Sequence, residues 1–357
     1  MNISSLSLEE KIGQRFIFGI NNNNIEPIIE LIKNGFIGGI ILYKKNYHNY
    51  DEMIEVINRF KAANKDNKIP LFIAIDQEGG VVNRFPSEIH NLKNIYDVSK
   101  HDANLIGDYA DILGELLIKS GINMNLAPVV DIYNNSKSKA LYKRCFYGDS
   151  KQIFDSAKEY IDKANDQGII SVIKHYPGHG ASKFDSHYII PCVYDYQDVL
   201  DKHMKPFDEL IKKKIDALMV GHLVVRKLTG ILPASISNNF LRKYLRDNGY
   251  EGLILSDEVN MLRRHLLYRF IYLDKALRSL CDIVLVKIKD VDEGYNVIDK
   301  YKKLLLKDKI LEKNLNDSVT RIIDVKKKYD ISDDLNFKDI NLHDINLKID
   351  RINNLVK

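Results

Sequence analysis

The sequence predicts an α/β protein: a (β/α)8 barrel followed by a C-terminal helical extension. Eight short apolar, β-branched runs alternate with helix-period segments over roughly 280 residues, a rhythm that favours a closed parallel barrel over an open sheet. Polar residues then follow the strands in a constant phase. Asp76 ends the third strand, Asp131 the fourth, Lys174 and His175 the fifth, His222 the sixth and Asp257 the seventh. In a barrel all of these positions face one mouth. At 357 residues, with 45% hydrophobic side chains, the chain can bury one large core. The barrel is expected over residues 1–290 and the extension over 291–357, packed on the barrel within the same domain.

In chain order, Ser7-Leu-Glu-Glu10 reads as a capping box that opens an amphipathic helix. Strands are expected at 16–20, 38–43, 71–75, 124–130, 169–173, 217–220, 253–255 and 283–286. The helix period places helices at 26–34, 50–63, 103–120, 151–167, 196–213, 240–248 and 268–280. Beyond residue 290 the chain turns helical and charged, with helices expected at 301–313 and 318–329. Residues 330–357 are rich in Asn, Asp, Lys and Ile and carry no chemistry. They are read as a helix packed on the outside of the barrel or as a frayed end.

Composition narrows the function classes. Lys and Arg (53) exceed Asp and Glu (49) by only four, and the excess is spread along the chain rather than gathered into a nucleic-acid-binding face. No run approaches the roughly 20 apolar residues that span a bilayer. The N-terminus has no basic segment followed by an apolar run and a small-residue cleavage site. Cys145, Cys192 and Cys281 are odd in number and have no metal-knuckle spacing, which points to reduced thiols. The expectation is a cytoplasmic monomer with no cofactor, no metal, no nucleic-acid partner and no membrane partner.

Residues 174–191 hold the densest chemistry: Lys174-His-Tyr-Pro-Gly-His-Gly180, then Asp185-Ser-His187, just past a buried strand. Gly178 and Gly180 point to a mobile loop that carries Asp185 and His187 over a ligand. A carboxylate two residues from His187 can hold its ring and fix its tautomer, although two exposed loop side chains fit the same fragment. Asp257 can attack an anomeric carbon or stabilise a cationic transition state, although taken alone it reads rather as a helix N-cap. Asp76, Arg84, Arg144, Lys174 and His175 form a third group suited to sugar hydroxyls and acetamido groups. Arg84 and Arg144 also fit structural ion pairs with acids such as Glu78 or Asp149. A zinc site from His175, His179, His187 and Asp185 ranks below proton transfer, because Pro177 and Gly178 keep His175 and His179 off a common helical face.

Taken in order, these motifs resemble a family. Ile75-Asp-Gln-Glu-Gly-Gly80 with Arg84-Phe85, Asn125-Leu-Ala-Pro-Val-Val-Asp-Ile132, Arg144-Cys-Phe146, Lys174–Gly180, Asp185-Ser-His187, Pro233-Ala-Ser-Ile-Ser237 and Ser256-Asp257 resemble the β-N-acetylglucosaminidases of glycoside hydrolase family 3. The resemblance is to the single-domain cytoplasmic kind and runs from about Leu8 to Val286. It implies that Asp257 is the nucleophile, His187 the general acid/base and Asp185 its partner. It also implies that Asp76, Arg84, Arg144, Lys174 and His175 bind the non-reducing N-acetylglucosamine, with His222 added to the binding set as a strand-end residue. The implied task is release of that sugar from peptidoglycan fragments during recycling. Ala181-Ser182, Leu262-Arg-Arg-His265 and Ser279-Leu280-Cys281 depart from the family pattern and bear on the leaving-group side. The alternatives are a β-glucosidase or β-xylosidase of the same superfamily, transfer to phosphate, and a non-catalytic sugar-binding barrel.

Overall fold

The computed structural model describes residues 3–133, 139–182, 184, 189–263, 268, 270–335 and 340–356. Eight strands form the ring: β1 (Phe16–Ile20), β2 (Gly39–Leu42), β3 (Phe72–Ile75), β4 (Met124–Asn125), β5 (Ile170–Tyr176), β6 (Ala217–Val220), β7 (Leu253–Ser256) and β8 (Val284–Ile288). Every neighbour is parallel, in the order β8-β1-β2-β3-β4-β5-β6-β7. The parallel bridge Leu255↔Ile283 joins β7 to the start of β8 and closes the barrel. Each strand lies within a few residues of its expected place. The difference at β5 matters most: it runs on through Lys174, His175 and Tyr176, so those side chains are held by the sheet rather than by a loop.

Strand pleating sorts the apolar residues into two cores. Ile17, Phe72, Ala74, Val172, Met219 and Leu285 are among those that fill the barrel, while alternating residues such as Phe18, Ile73, Ile173 and Val286 pack outward against the helices. The helix Lys309–Lys328 plugs the amino-terminal end, sending Ile322 and Val325 into the barrel core. Beside them Lys326 is buried. It donates to Gln14 Oε1 and the Gly38 carbonyl, both at 2.8 Å, and to the Pro70 carbonyl at 2.5 Å. Burial pushes its pKa down to about 7.

The outer helices follow the expected period, with three instructive differences. The stretch expected as one helix at 196–213 breaks into Tyr196–Asp198, a π-type turn at Val199–His203 and Lys205–Lys212. Pro206 has no N–H to continue the ladder, and the bond from Met204 N–H to the Val199 carbonyl (2.8 Å) absorbs the change of register. The helices expected at 301–313 and 318–329 are Val291–Leu305 and Lys309–Lys328, because Asp290 and Asp308 cap them. At the C-terminal end, Leu342–Leu355 buries Ile345, Ile349 and Ile352 against the helix Leu105–Lys119. Its Asn346 and Asn353 side chains accept the His90 and Lys93 N–H groups, holding the chain that follows the third strand's loop. The capping box at Ser7 and Glu10 forms as expected, with reciprocal bonds of 3.1 and 2.7 Å.

Candidate active site

The carboxyl ends of the strands enclose a cavity of about 630 Å³, within the range typical of small-ligand sites. Asp76, Arg84, Arg144, Lys174, His175 and Asp257 all line it. The fold thus brings together six residues spread over some 180 positions of sequence, because each follows or ends a barrel strand. The lining also takes in Tyr43, Glu78, Glu258 and Lys287, none of which the sequence placed in the site, and His179, which it weighed only as a metal ligand.

Its most buried part is an ion network. Lys174, 2% exposed, donates to Asp76 Oδ1 and meets Glu78 Oε1, both at 2.7 Å. Arg144 donates to both Glu78 oxygens at 2.8 Å, the fork-on-fork geometry of a strong pair. The ion-pair alternative weighed for Arg144 is therefore what it does, and it lines the cavity as well. Burial alone would raise the Glu78 carboxyl, but the Arg144 and Lys174 charges outweigh it and hold the group well below its ordinary range. Burial likewise works against the Lys174 ammonium, yet Asp76 and Glu78 raise its pKa. Arg84 sits half-buried, its N–H donating to Gln77 Oε1 and its carbonyl accepting from the Tyr47 hydroxyl. Its guanidinium has no carboxylate partner among the described residues.

Asp131 organises the next layer. Fully buried, it accepts the His175 N–H (3.1 Å), the His175 Nδ1 (2.8 Å) and the His179 N–H (2.6 Å). Burial opposes its charge, but the bonds and attraction from His175 and His179 prevail and lower its pKa. Because a carboxylate only accepts, Nδ1 of His175 carries the proton, which leaves Nε2 as the ring's other polar atom. The His179 ring lies 5.8 Å from that of His175, and burial first, then the nearby His175, push it down to about 4. Among the described residues no group of three or more His, Cys, Asp or Glu side chains is arranged to hold a metal ion.

Asp257 follows β7 directly, its N–H donating to the Val220 carbonyl (3.0 Å). Its Oδ1 accepts the adjacent Glu258 N–H (2.7 Å), and the short helix Asn260–Arg263 starts only at residue 260. His222 requires a correction. It does not line the cavity: it is 1% exposed and stands behind the turn, with Nδ1 2.6 Å from Ser235 Oγ and Nε2 2.9 Å from the Glu258 carbonyl. It braces the segment after Asp257 through the Glu258 carbonyl. Asp185 and His187 lie outside the described residues. The glycines before them serve close packing. Gly178 has φ +113° against His203, and a Cβ on Gly180 would stand 2.0 Å from the Ile132 carbonyl.

Glu78 and Tyr43 escaped the sequence reading as site residues, and His179 entered it only as a possible metal ligand. Glu78 stands two residues beyond Asp76 on the same segment, a spacing that could have flagged it. Its pairing with Arg144, 66 residues away, leaves no local pattern.

A closed parallel barrel whose carboxyl-end mouth combines carboxylates, cations and imidazoles is the architecture of an enzyme acting on a polar small molecule. Comparison with known proteins makes this specific. Residues 7–325 match the family model described as the glycosyl hydrolase family 3 N terminal domain. The β-hexosaminidase of Shewanella frigidimarina (strain NCIMB 400) is 31% identical over 263 residues, covering 70% of this chain and 74% of its own. That of Tolumonas auensis (strain DSM 9187 / NBRC 110442 / TA 4) is 31% identical over 239 residues, 65% of this chain and 70% of its own. The solved structure of a glycoside hydrolase family 3 β-N-acetylglucosaminidase from Paenibacillus sp. str. FPU-7 superposes with a TM-score of 0.88 at 26% identity, covering 99% of this chain and 69% of that one. The chain belongs to glycosyl hydrolase family 3 and is a glycoside hydrolase.

Proposed function

We propose that this enzyme is a retaining exo-β-N-acetylglucosaminidase that releases non-reducing N-acetylglucosamine from peptidoglycan fragments. The observation that supports it most is that Asp257 shares one cavity with Asp76, Arg84, Arg144, Lys174 and His175. In the first step the Asp257 carboxylate attacks the anomeric carbon while the bond to the leaving oxygen breaks, and His187 gives that oxygen a proton. In the second, water attacks the same carbon, His187 takes the water's proton and the bond to Asp257 breaks. Asp185 holds the His187 ring. The Asp76–Lys174 pair and His175 Nε2 present acceptors and donors to the sugar hydroxyls, with their geometry preset by Glu78 and Asp131. No step of this scheme calls for a metal or cofactor. Cys145, Cys192 and Cys281 are free thiols, which fits the reducing cytoplasm proposed as its compartment.

Release of a chromogenic leaving group from its β-N-acetylglucosaminide tests the reading. The Asp257→Ala variant should lose roughly 10³-fold or more in kcat. Wild-type turnover that survives this substitution would remove Asp257 from the mechanism. A wild type that binds the sugar without cleaving it would instead make the barrel a binding module.

A further inference from the structure

We infer that the cavity wall built by β7 and β8 recognises a carboxylate on the leaving group, and that Lys287 sets this preference; the inference rests on the reading of Asp257 as the point of attack. The strand order puts β8 across the mouth from β4. The mouth therefore has two sides, one carrying Asp76, Lys174 and His175, the other carrying Lys287 beside Asp257. On the first side Arg144 and Lys174 are matched by Glu78 and Asp76, and Arg84 is the lining cation there without a carboxylate partner among the described residues.

On the second side that matching stops. Lys287 stands two residues beyond Leu285, which faces the barrel core, so pleating aims the lysine into the mouth. It is half-buried, with Nζ 5.4 Å from the centre of the Tyr43 ring. No carboxylate lies within 4.0 Å of it among the described residues, although Asp257 and Glu258 line the same cavity. Lys289, two residues further on, lines the cavity and is equally without an ion pair there. The remaining acid of that side, Glu293, is already taken by Arg263 at 3.0 Å and by the Lys289 N–H at 3.0 Å. An ammonium held against an aromatic face at the cavity wall, with no carboxylate within ion-pair distance among the described residues, favours a ligand that brings one.

The test uses two aryl β-N-acetylglucosaminides that differ by one carboxylate on the leaving group and are matched in leaving-group acidity. Wild type should favour the carboxylated member in kcat/KM by roughly tenfold at low salt, and the ratio should shrink as salt screens the contact. Lys287→Gln should lower kcat/KM about tenfold more on the carboxylated substrate than on the neutral one, whereas Lys287→Arg should keep most of the preference. Equal rates on the pair, or an equal loss on both in Lys287→Gln, would overturn the inference. Binding of the corresponding sulfur-linked, uncleavable pair by calorimetry separates this from the catalytic reading. If nothing is hydrolysed, tighter binding of the carboxylated analogue that vanishes in Lys287→Gln still supports the inference, and equal binding refutes it.

Discussion

Glu78 joins both buried cations of the cavity's ion network, and replacing it with Gln removes its charge while keeping the side chain's shape. The carboxylate, 4% exposed, accepts two bonds from Arg144 and meets Lys174 at 2.7 Å. Removing the anion leaves two cations with only Asp76 to answer them, and unpairing a buried charge typically costs about 3–5 kcal/mol. At about 2.1 cal/mol/K per residue, a chain of 357 residues unfolds with an entropy near 0.75 kcal/mol/K, so the expected drop in Tm is about 4–7 °C. The pH dependence has a fixed sign. Because the folded carboxyl lies below its ordinary 4.5, its contribution is complete above about pH 4.5 and is lost as the pH falls towards the folded value. Thermal melts of wild type and Glu78→Gln should thus differ fully at pH 7 and converge under acid. Activity should fall as well, since Arg144 and Lys174 lose the group that aims them. A variant melting within about 1 °C of wild type at pH 7, with full activity, would refute the view that this network holds the site together.

Two further substitutions separate bracing from contact. His222→Phe keeps the ring's bulk but loses the bonds to Ser235 and the Glu258 carbonyl, so kcat should fall roughly tenfold or more while KM changes little; a change confined to KM would show that His222 touches the sugar. Lys326→Met tests the plug of the barrel. With a folded pKa of about 7 against 10.5, the unfolded chain binds the extra proton between those values, and wild-type stability should climb through that window relative to the variant. Parallel pH–stability curves for the two proteins would show that Lys326 is charged throughout.

The strand rhythm was legible because each barrel strand is buried on both faces and reads as an apolar run whatever its partners. The polar strand ends were legible too, because a polar residue just past such a run marks where the strand leaves the barrel at its carboxyl end. Helix ends near 196–213 and 301–313 were less so, since the apolar period continues through positions where Pro206 and Asp308 interrupt the backbone. His222 misled because strand-end position alone does not distinguish a side chain facing the mouth from one turned behind it. Lys287 was invisible as a site residue because a lysine at the end of a strand is ordinary until the ring closes and its neighbours are known.

By itself the chain's order of residues determined the alternation of strand and helix and the set of groups gathered at the strand ends, since both follow from local burial and backbone chemistry. Only the closed ring decided which of those groups meet. It set Glu78 between Arg144 and Lys174, turned Asp131 onto His175, and left Lys287 facing open space. Such pairings depend on distances of a few ångströms between residues tens to hundreds of positions apart, and nothing in a linear pattern encodes them.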